Sequence, residues 1–500
     1  MLSKTGAAGR LALRRWLVAP VLLAAMGGAG TSCITVGNVP KGPGTFVITV
    51  TKVNGNDPPT ADMPLPPNPG GDTVETWDFT VDAVDQSGHP TPFDGYLRVS
   101  VRPGSVIDVV DPSTTPPTLM GRNVLMHNGH AEAQAHLSLV YGPTRLLIED
   151  VGYVPAPPGK KPACSDGKDN NGNHLVDFPN DPGCYAADDD SEDGGSFVAA
   201  VSAPVNYSLP TLQQINGFGA KTPYNLDAVQ ARTDMPSNLV VTRVSTDGFY
   251  VTDLNDQGKG WNHLFAFNFS APINMQVCDK VTYLSGTMGI FFGYDELNFP
   301  SYRLNPLYVG QEDLCTVPEP IVLDAATISS TPEMKKVQSG LVRVQNYLIA
   351  GHFGSKLVVN NQPADGASNC DFNGDGKIEF TDTAEGNCSA ACDADPNCSE
   401  WTEFASRGNY KVHIANSTIQ VNTDTIGQFE PQAHTEMPIT VAGTLAYFSG
   451  GKNNWTIEAR CPDDLVCDPT VPGCTAMTLD SKHACVHITR TIDDNDAASN

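Results

Sequence analysis

Basic residues are scarce in this chain. Its 500 residues include 30 Lys and Arg against 56 Asp and Glu, so the net charge is -26 and the isoelectric point is about 4.6. A surface of this sign repels a phosphate backbone unless a local basic groove interrupts it. The composition therefore disfavours nucleic acid as a partner and suits cation binding and solubility.

The motifs of common catalytic machineries are missing as well. The sequence has no G-x-S-x-G, no H-E-x-x-H, no P-loop and no G-x-G-x-x-G at a strand–helix junction. Paired C-x-x-C motifs are absent, and Cys388 and Cys392 have no histidine nearby, so a zinc site is not predicted. We expect a protein that is not an enzyme and keep a calcium-dependent hydrolase as the least favoured alternative.

The N-terminal apolar run is too short for a membrane span. Trp16–Met26 follows four basic residues (Lys4, Arg10, Arg14 and Arg15) and precedes small residues that end at Cys33, the order of a secretory signal. The segment resembles a bacterial lipoprotein signal, although Gly30 stands where that family usually has Leu. The resemblance implies a signal peptide over residues 1–32, lipidation of Cys33 and a tether over 33–44.

The cellular location follows from the same resemblance. Ile34, rather than Asp, comes after the cysteine, which in many Gram-negative bacteria implies sorting to the outer membrane. We therefore expect a protein held at the outer membrane or cell surface by its lipid anchor. An ordinary secretory signal, giving a periplasmic or secreted protein, is the alternative.

The cysteine count agrees with an oxidising compartment. Thirteen cysteines are present, and an even set remains once Cys33 is reserved for lipid. We predict disulfides between Cys164 and Cys184 and between Cys278 and Cys315. The pairing of the other eight stays open: Cys370, Cys388, Cys392, Cys398, Cys461, Cys467, Cys474 and Cys485.

Glycine and proline are abundant, with 46 and 39 residues, which favours many short strands over helical bundles. One clear strand alternates apolar residues at Trp77, Phe79, Val81 and Ala83 with polar neighbours. About seven such strands between residues 45 and 154 predict a sandwich. This stretch resembles the bacterial Ig-like domains of cell-surface proteins.

An acidic loop follows within a Pro-rich and acidic linker, residues 155–196. Asp169, Asn171, Asn173 and Asp177 place oxygen ligands at short spacings between Cys164 and Cys184, a pattern suited to Ca²⁺. The loop resembles thrombospondin type 3 repeats and the calcium loops of bacterial surface lipoproteins. A metal-free, disulfide-closed turn is the alternative, and the acidic run at 188–193 is interpreted as a solvated spacer.

The stretch 239–299 has three β-rich blocks. It contains GFYVTD (Gly248–Asp253) and then Asp279, Val281, Gly286, Met288, Gly293, Glu296 and Leu297 at regular spacings. It resembles OB-fold modules attached to secreted bacterial nucleases, which implies a β-barrel over residues 197–332. Its aromatics are a candidate ligand face, with burial in the core as the alternative: Phe249, Tyr250, Phe265 and Phe267.

A second OB-like module is predicted over residues 333–490, because Gly443-Thr444 echoes Gly286-Thr287. It carries an insert at 370–400 with an EF-like loop and a cystine cluster near its end, and 491–500 reads as a disordered tail. The loop's predicted Ca²⁺ ligands are Asp371, Asn373, Asp375, Lys377, Glu379 and Asp382.

The fold class predicted is therefore all-β and multidomain, a sandwich followed by two barrels. The function predicted is non-catalytic: a lipid-anchored surface protein whose calcium-rigidified β-domains bind a glycan or protein. An oligosaccharide- or oligonucleotide-binding protein associated with exported nucleases is the alternative. The module at 239–299 carries three basic and six acidic residues, which favours a sugar or protein over nucleic acid.

Overall fold

The computed structural model describes residues 44–68, 70, 73–219, 221–350, 408–414, 417–434, 437–448, 454–475 and 484–491. The predictions for the signal peptide, Cys33, most of the tether, the insert at 370–400 with its six proposed ligands, and the tail after 491 lie outside these residues. The all-β prediction is confirmed, since strands dominate and the helices described are short. No helix in the described segments has the length and apolar character needed to cross a bilayer.

The first two sheets form a β-sandwich. One sheet has the order β1-β2-β7-β4-β5 and the other β10-β8-β3-β6, with β9 paired to β8. The strands are β1 Thr45–Val53, β2 Glu75–Val84, β3 Gly95–Arg102, β4 Ser105–Asp111, β5 Thr118–Leu119, β6 Asn123–Met126, β7 His130–Ser138, β8 Pro143–Asp150, β9 Ala200–Val201 and β10 Val205–Asn206.

The sandwich core comes from the inward positions of both sheets. Trp77 and Phe79 of β2 are buried against Val99 of β3 and Ile148 of β8. The alternation read from the sequence therefore selects the buried face correctly, because side chains on a strand alternate between the two faces. Asn128-Gly129 joins β6 to β7 as a tight hairpin turn.

The last strands of the sandwich lie beyond residue 197, where the first barrel module was expected to start. β9 and β10 pair with β8, and Tyr207 enters the core, where its hydroxyl accepts a 2.9 Å hydrogen bond from the Trp77 indole. Residues 155–196 thus leave one edge of the sheet and return to it. We call them the acidic lobe, and they are part of the sandwich's own connectivity rather than a spacer.

The third sheet closes into a five-stranded barrel, called barrel 1. Its strands pair in the order β12-β13-β14-β16-β15, and β15 closes the ring by pairing with β12; β14 and β16 run parallel. The short strand β11 adds to β15. The bounds are β11 Ala228–Gln230, β12 Leu239–Ser245, β13 Gly248–Asp253, β14 His263–Phe267, β15 Lys280–Phe291 and β16 Tyr294–Asn305. Helix α1, Leu212–Asn216, precedes them.

Barrel 2 repeats this strand order. β18 and its continuation β19 form the first strand, and the ring continues through β20, β21, β23 and β22 back to β18, again with the parallel pair at β21 and β23. The bounds are β17 Ile321–Val322, α2 Ala325–Ile328, α3 Thr331–Lys336, β18 Leu341–Tyr347, β19 Ile349–Ala350, β20 Asn409–Ile414, β21 Ser417–Asn422, β22 Ile439–Phe448, β23 Asn454–Glu458 and β24 Leu465–Val466.

The three parts contact one another. The Tyr141 hydroxyl of the sandwich donates a 2.7 Å hydrogen bond to the Ala228 carbonyl of barrel 1. Arg243 of barrel 1 forms an ion pair with Glu458 of barrel 2 and donates to the Thr444 hydroxyl at 2.6 Å. They belong to one compact unit, Pro43–Asn500.

Disulfides fasten this arrangement. Both predicted pairs, Cys164–Cys184 and Cys278–Cys315, are confirmed. Two pairings that the sequence left open are Cys461–Cys485 and Cys467–Cys474. The segment after Cys485 crosses back to barrel 1, where Arg490 makes a bidentate ion pair with Asp279 at 3.0 Å.

Candidate functional site

The acidic lobe contains the predicted loop, and the structure separates its four proposed ligands into two groups. The Asp169 carboxylate accepts backbone N–H bonds from Gly172 and His174 at 2.7 and 2.8 Å. These bonds lower the pKa of Asp169, chiefly through the N–H of His174. Asp177 accepts from the Gly167 N–H with both oxygens. These two carboxylates brace the backbone of the loop.

The two asparagines face a different partner. Asn173 donates its amide N–H to both oxygens of Asp181, at 3.1 and 3.2 Å, and Asn171 donates to the main-chain carbonyl of Glu192 and to Asp181 at 3.4 Å. Asp181 and Glu192 are buried, at 1% and 3% exposure. The sequence reasoning assigned neither residue, and the interpretation of 188–193 as a solvated spacer is wrong at Glu192 and at buried Asp189.

The candidate aromatic face of barrel 1 is mostly covered. Phe249 points into the barrel core and has no exposed surface. Tyr250 and Phe265 lie on the outer face of β13 and β14 but form a buried cluster with Tyr294, against which Tyr447 of barrel 2 packs. This corrects the predicted ligand face, because a second barrel occupies the place where a ligand would stack.

A neighbouring aromatic surface stays open. The ring of Phe267, at the end of β14, contacts the ring of Phe269 with a centroid distance of 4.5 Å. The ring of Phe269 in turn lies 5.6 Å from that of Phe299. Phe269 and Phe299 are 70% and 68% exposed. We call Phe267, Phe269 and Phe299 the aromatic surface. Only Phe267 was predicted. Phe269 lies in the loop after β14 and continues the alternation of Phe265 and Phe267, whereas Phe299 lies within β16.

Buried polar groups of barrel 1 resemble a catalytic pair only superficially. His263 bonds the Thr252 hydroxyl through Nδ1 at 2.8 Å, and its Nε2 has no partner. Burial lowers the pKa of His263 to about 4, so the ring is neutral near pH 7. At 5% exposure it has no route to a substrate, and the geometry is that of a core histidine.

Two other charged groups have structural explanations. Asp295 forms a 2.8 Å ion pair with Lys335, and both are nearly buried where α3 meets barrel 1. Cys461, Asp463 and Cys485 lie close enough together to suggest a metal group, but the two cysteines form a disulfide. A disulfide offers no thiolate, so this cluster does not fit a metal.

No protein family, curated protein or solved structure matches this chain. The geometry of its own residues therefore carries the functional argument. Among the described residues, the acidic lobe brings buried carboxylates and amides together, and the aromatic surface brings exposed rings together.

Proposed function

We propose that this protein is a non-catalytic, lipid-anchored cell-surface protein that binds a surface glycan through the aromatic surface of barrel 1. The observation that carries the proposal is that two phenylalanine rings in contact, Phe269 and Phe299, are more than two-thirds exposed and extend the ring of Phe267 into a surface of three aromatics. Large apolar side chains that remain exposed together mark binding sites.

The order of strands in the two barrels supports their assignment as OB-like modules, whose faces and loops bind oligosaccharides and oligonucleotides. The charge of barrel 1 favours the sugar. Between Leu239 and Phe299 three basic residues stand against six acidic ones, so no excess of positive charge favours a phosphate backbone. The usual stacking face, around Tyr250 and Phe265, is occupied by barrel 2.

Rigidity is the second part of the proposal. Buried contacts join the sandwich to barrel 1 and barrel 1 to barrel 2, and disulfides tie each barrel to the segment that follows it. These contacts hold the aromatic surface in a fixed place among the described residues. In this scheme lipid on Cys33 holds the protein at the outer membrane, and Ca²⁺ at the acidic lobe and at the loop of residues 371–382 stiffens it.

A glycan array with the full chain in calcium-containing buffer tests the binding function. The double variant Phe269→Ser/Phe299→Ser is expected to lose at least tenfold in affinity for any glycan bound, because the apolar contact area of two rings is removed. The control Phe218→Ser removes a similarly exposed ring outside this surface. Equal binding by the double variant and the control would refute the aromatic surface as the site.

The anchor is tested separately. Cys33→Ala should move the protein from the membrane fraction to the soluble fraction. An unchanged distribution would exclude lipidation at Cys33 as the means of attachment.

A further inference from the structure

The acidic lobe contains a buried carboxylate with an oxygen that nothing satisfies. Glu192 is 3% exposed; its Oε2 accepts the backbone N–H groups of Asn170 and Asn171, while its Oε1 has no hydrogen-bond partner. Leaving an ionised oxygen buried and unpaired is costly, and proteins normally pair such a group or use it to coordinate a metal.

A second carboxylate lies beside it. Asp181, 1% exposed, accepts the Gly183 N–H at 2.7 Å and the side-chain amides of Asn171 and Asn173. Asn171 also donates to the carbonyl of Glu192, so one amide links both acidic residues. Among the described residues, no lysine or arginine forms an ion pair with Asp181 or Glu192. Every donor that the described residues offer to Asp181 and Glu192 is a neutral amide or backbone N–H.

The backbone is built to bring these groups together. A Cβ at Gly183 would lie 1.8 Å from the main-chain oxygen of Glu192, so only glycine permits this approach. The Cys164–Cys184 disulfide restrains the loop segment that contains Asp181. A groove of about 440 Å³, lined by Asn171, Asn173, Gly183 and Glu192 among others, gives access from solvent.

We propose that the carboxylates of Glu192 and Asp181 bind one Ca²⁺ ion beside this groove. The amide nitrogens of Asn171 and Asn173 position Asp181. Their side-chain oxygens accept the N–H groups of Asn173 and Leu175 and are not counted as ligands. Oxygen atoms from carboxylates, amides and carbonyls are the ligands a hard cation requires, and six to eight are needed for calcium. In this arrangement Asp169 and Asp177 are not ligands; their carboxylates hold the loop in shape by accepting its backbone N–H groups. The inference refines the calcium component of the proposed function and is independent of the glycan site.

Binding here would join the two ends of the lobe. Asn171 and Asn173, which hold Asp181 by hydrogen bonds, belong to its first half. Glu192 immediately precedes the segment that returns to the sandwich, where Ser196 and Phe197 donate to Asp150. A shared ion therefore cross-links the loop to the edge of the sandwich. The expected result is a lobe that resists proteolysis near Gly172 only when calcium is bound.

Calcium titration calorimetry on the full chain tests the site, in a background where Asp371→Asn/Asp375→Asn disables the second predicted loop. The background protein should bind one Ca²⁺, and Glu192→Gln or Asp181→Asn should weaken it at least tenfold. Glu192→Gln is nearly isosteric and keeps an acceptor for the backbone N–H groups. The matched control, Asp188→Asn, removes an exposed carboxylate that faces the Tyr153 hydroxyl.

The outcomes separate cleanly. No calcium binding by the background protein, or equal affinity in Glu192→Gln and Asp188→Asn, overturns the site. Loss of binding in Asp169→Asn with retention in Glu192→Gln also overturns it, since the first-predicted ligands would then hold the ion. If one of these variants fails to fold, Glu192→Asp replaces it, because it keeps the charge and shortens the side chain. We expect it to bind Ca²⁺ more weakly while the Cys164–Cys184 disulfide still forms, and unchanged affinity would overturn the site. Glycan binding is measured on different residues, so either proposal can fail alone.

Discussion

Barrel 1 and barrel 2 share a strand order but differ in what they do with it. In barrel 1 two residues join the first strand to the second, and Gly248 follows at once because a Cβ there would collide with the Ala266 carbonyl. In barrel 2 the chain between Ala350 and Asn409 separates the same two strands. The inward aromatic at the start of the second strand is common to both, Phe249 in one and Tyr410 in the other.

The outer faces differ most. In barrel 1 the outer face of the second and third strands is covered by barrel 2, and the adjoining aromatic surface is exposed. Barrel 2 uses its own aromatics, Tyr447 and Trp455, for that contact and for its core. The same architecture therefore leaves an exposed aromatic edge in one copy and supplies a covering surface in the other, and the outward side chains make the difference.

The largest expected effect lies in barrel 2. Arg460 and Asp464 are almost fully buried and joined by bonds of 2.8 and 2.9 Å. Asp464→Ala leaves a buried guanidinium without its counter-charge, which costs about 3–5 kcal/mol. In barrel 1, Asp279→Ala should cost about 2 kcal/mol, because Arg490 stays partly exposed. Denaturant unfolding measures both, and a greater loss for Asp279→Ala would contradict the ranking.

Acid should weaken barrel 1 through His263. Its folded pKa of about 4 lies below the ordinary value of 6.5, so the unfolded chain takes up a proton first as pH falls. Stability from this group is complete above about pH 6.5 and is lost towards pH 4, by up to about 3 kcal/mol.

The variant His263→Gln isolates this effect in melting curves between pH 7 and pH 4. It should lose less stability than the wild type over that range. Burial raises the pKa of Asp253 and Asp295, which acts in the opposite direction, but both groups are present in each protein and cancel in the difference. Parallel pH profiles would show that His263 does not titrate as inferred.

A smaller effect is expected at the contact between the barrels. Tyr447→Ala removes the ring that covers Tyr250 and Phe265 and should cost about 1–2 kcal/mol. Hydrogen exchange in β13 and β14 should accelerate, which reports directly on uncovering of barrel 1. Tyr283→Ala, which removes a ring stacked under Arg303 instead, is the control and should leave those strands unchanged.

The smallest effect on stability should come from the aromatic surface. Phe269→Ser is expected to change the free energy of unfolding by less than about 0.5 kcal/mol, because the ring is already largely solvated. Phe249→Ala should cost about 3–5 kcal/mol. Thermal melts of both variants measure the difference between an exposed ring and a core ring. Comparable losses of stability would contradict it.

Local patterns predicted much of this fold. Alternation identified Trp77 and Phe79 as core residues, and the Cys278–Cys315 pair was identified correctly. Tyr250 could not be placed, because burial on both faces of a β-strand depends on a second barrel far along the chain. A period-2 pattern reports one buried face and says nothing about what later covers the other.

The burial of Asp181 and Glu192 in the acidic lobe was not predicted, for a related reason. Spacing of two or four residues draws attention to Asp169 and Asp177, whereas Glu192 lies in a charge run that ordinarily faces solvent. The lobe folds back through a disulfide and glycine contacts, so residues distant in sequence meet. The signal that could have found the cluster is Gly183, since a glycine beside a cysteine in an acidic loop indicates close backbone approach.

Because the acidic lobe leaves the sandwich and returns to it at the same place, it can be removed or transferred to another protein as one segment. Its entry and exit touch: Asp150 accepts from the Ser196 N–H at 2.7 Å, and Gly152 lies against the Asp193 carbonyl. A short turn in place of residues 152–195 should leave the sandwich folded, as near-ultraviolet dichroism of buried Trp77 would report. The excised segment, with both ends side by side and its own disulfide, is equally suited to grafting between neighbouring strands of an unrelated sheet.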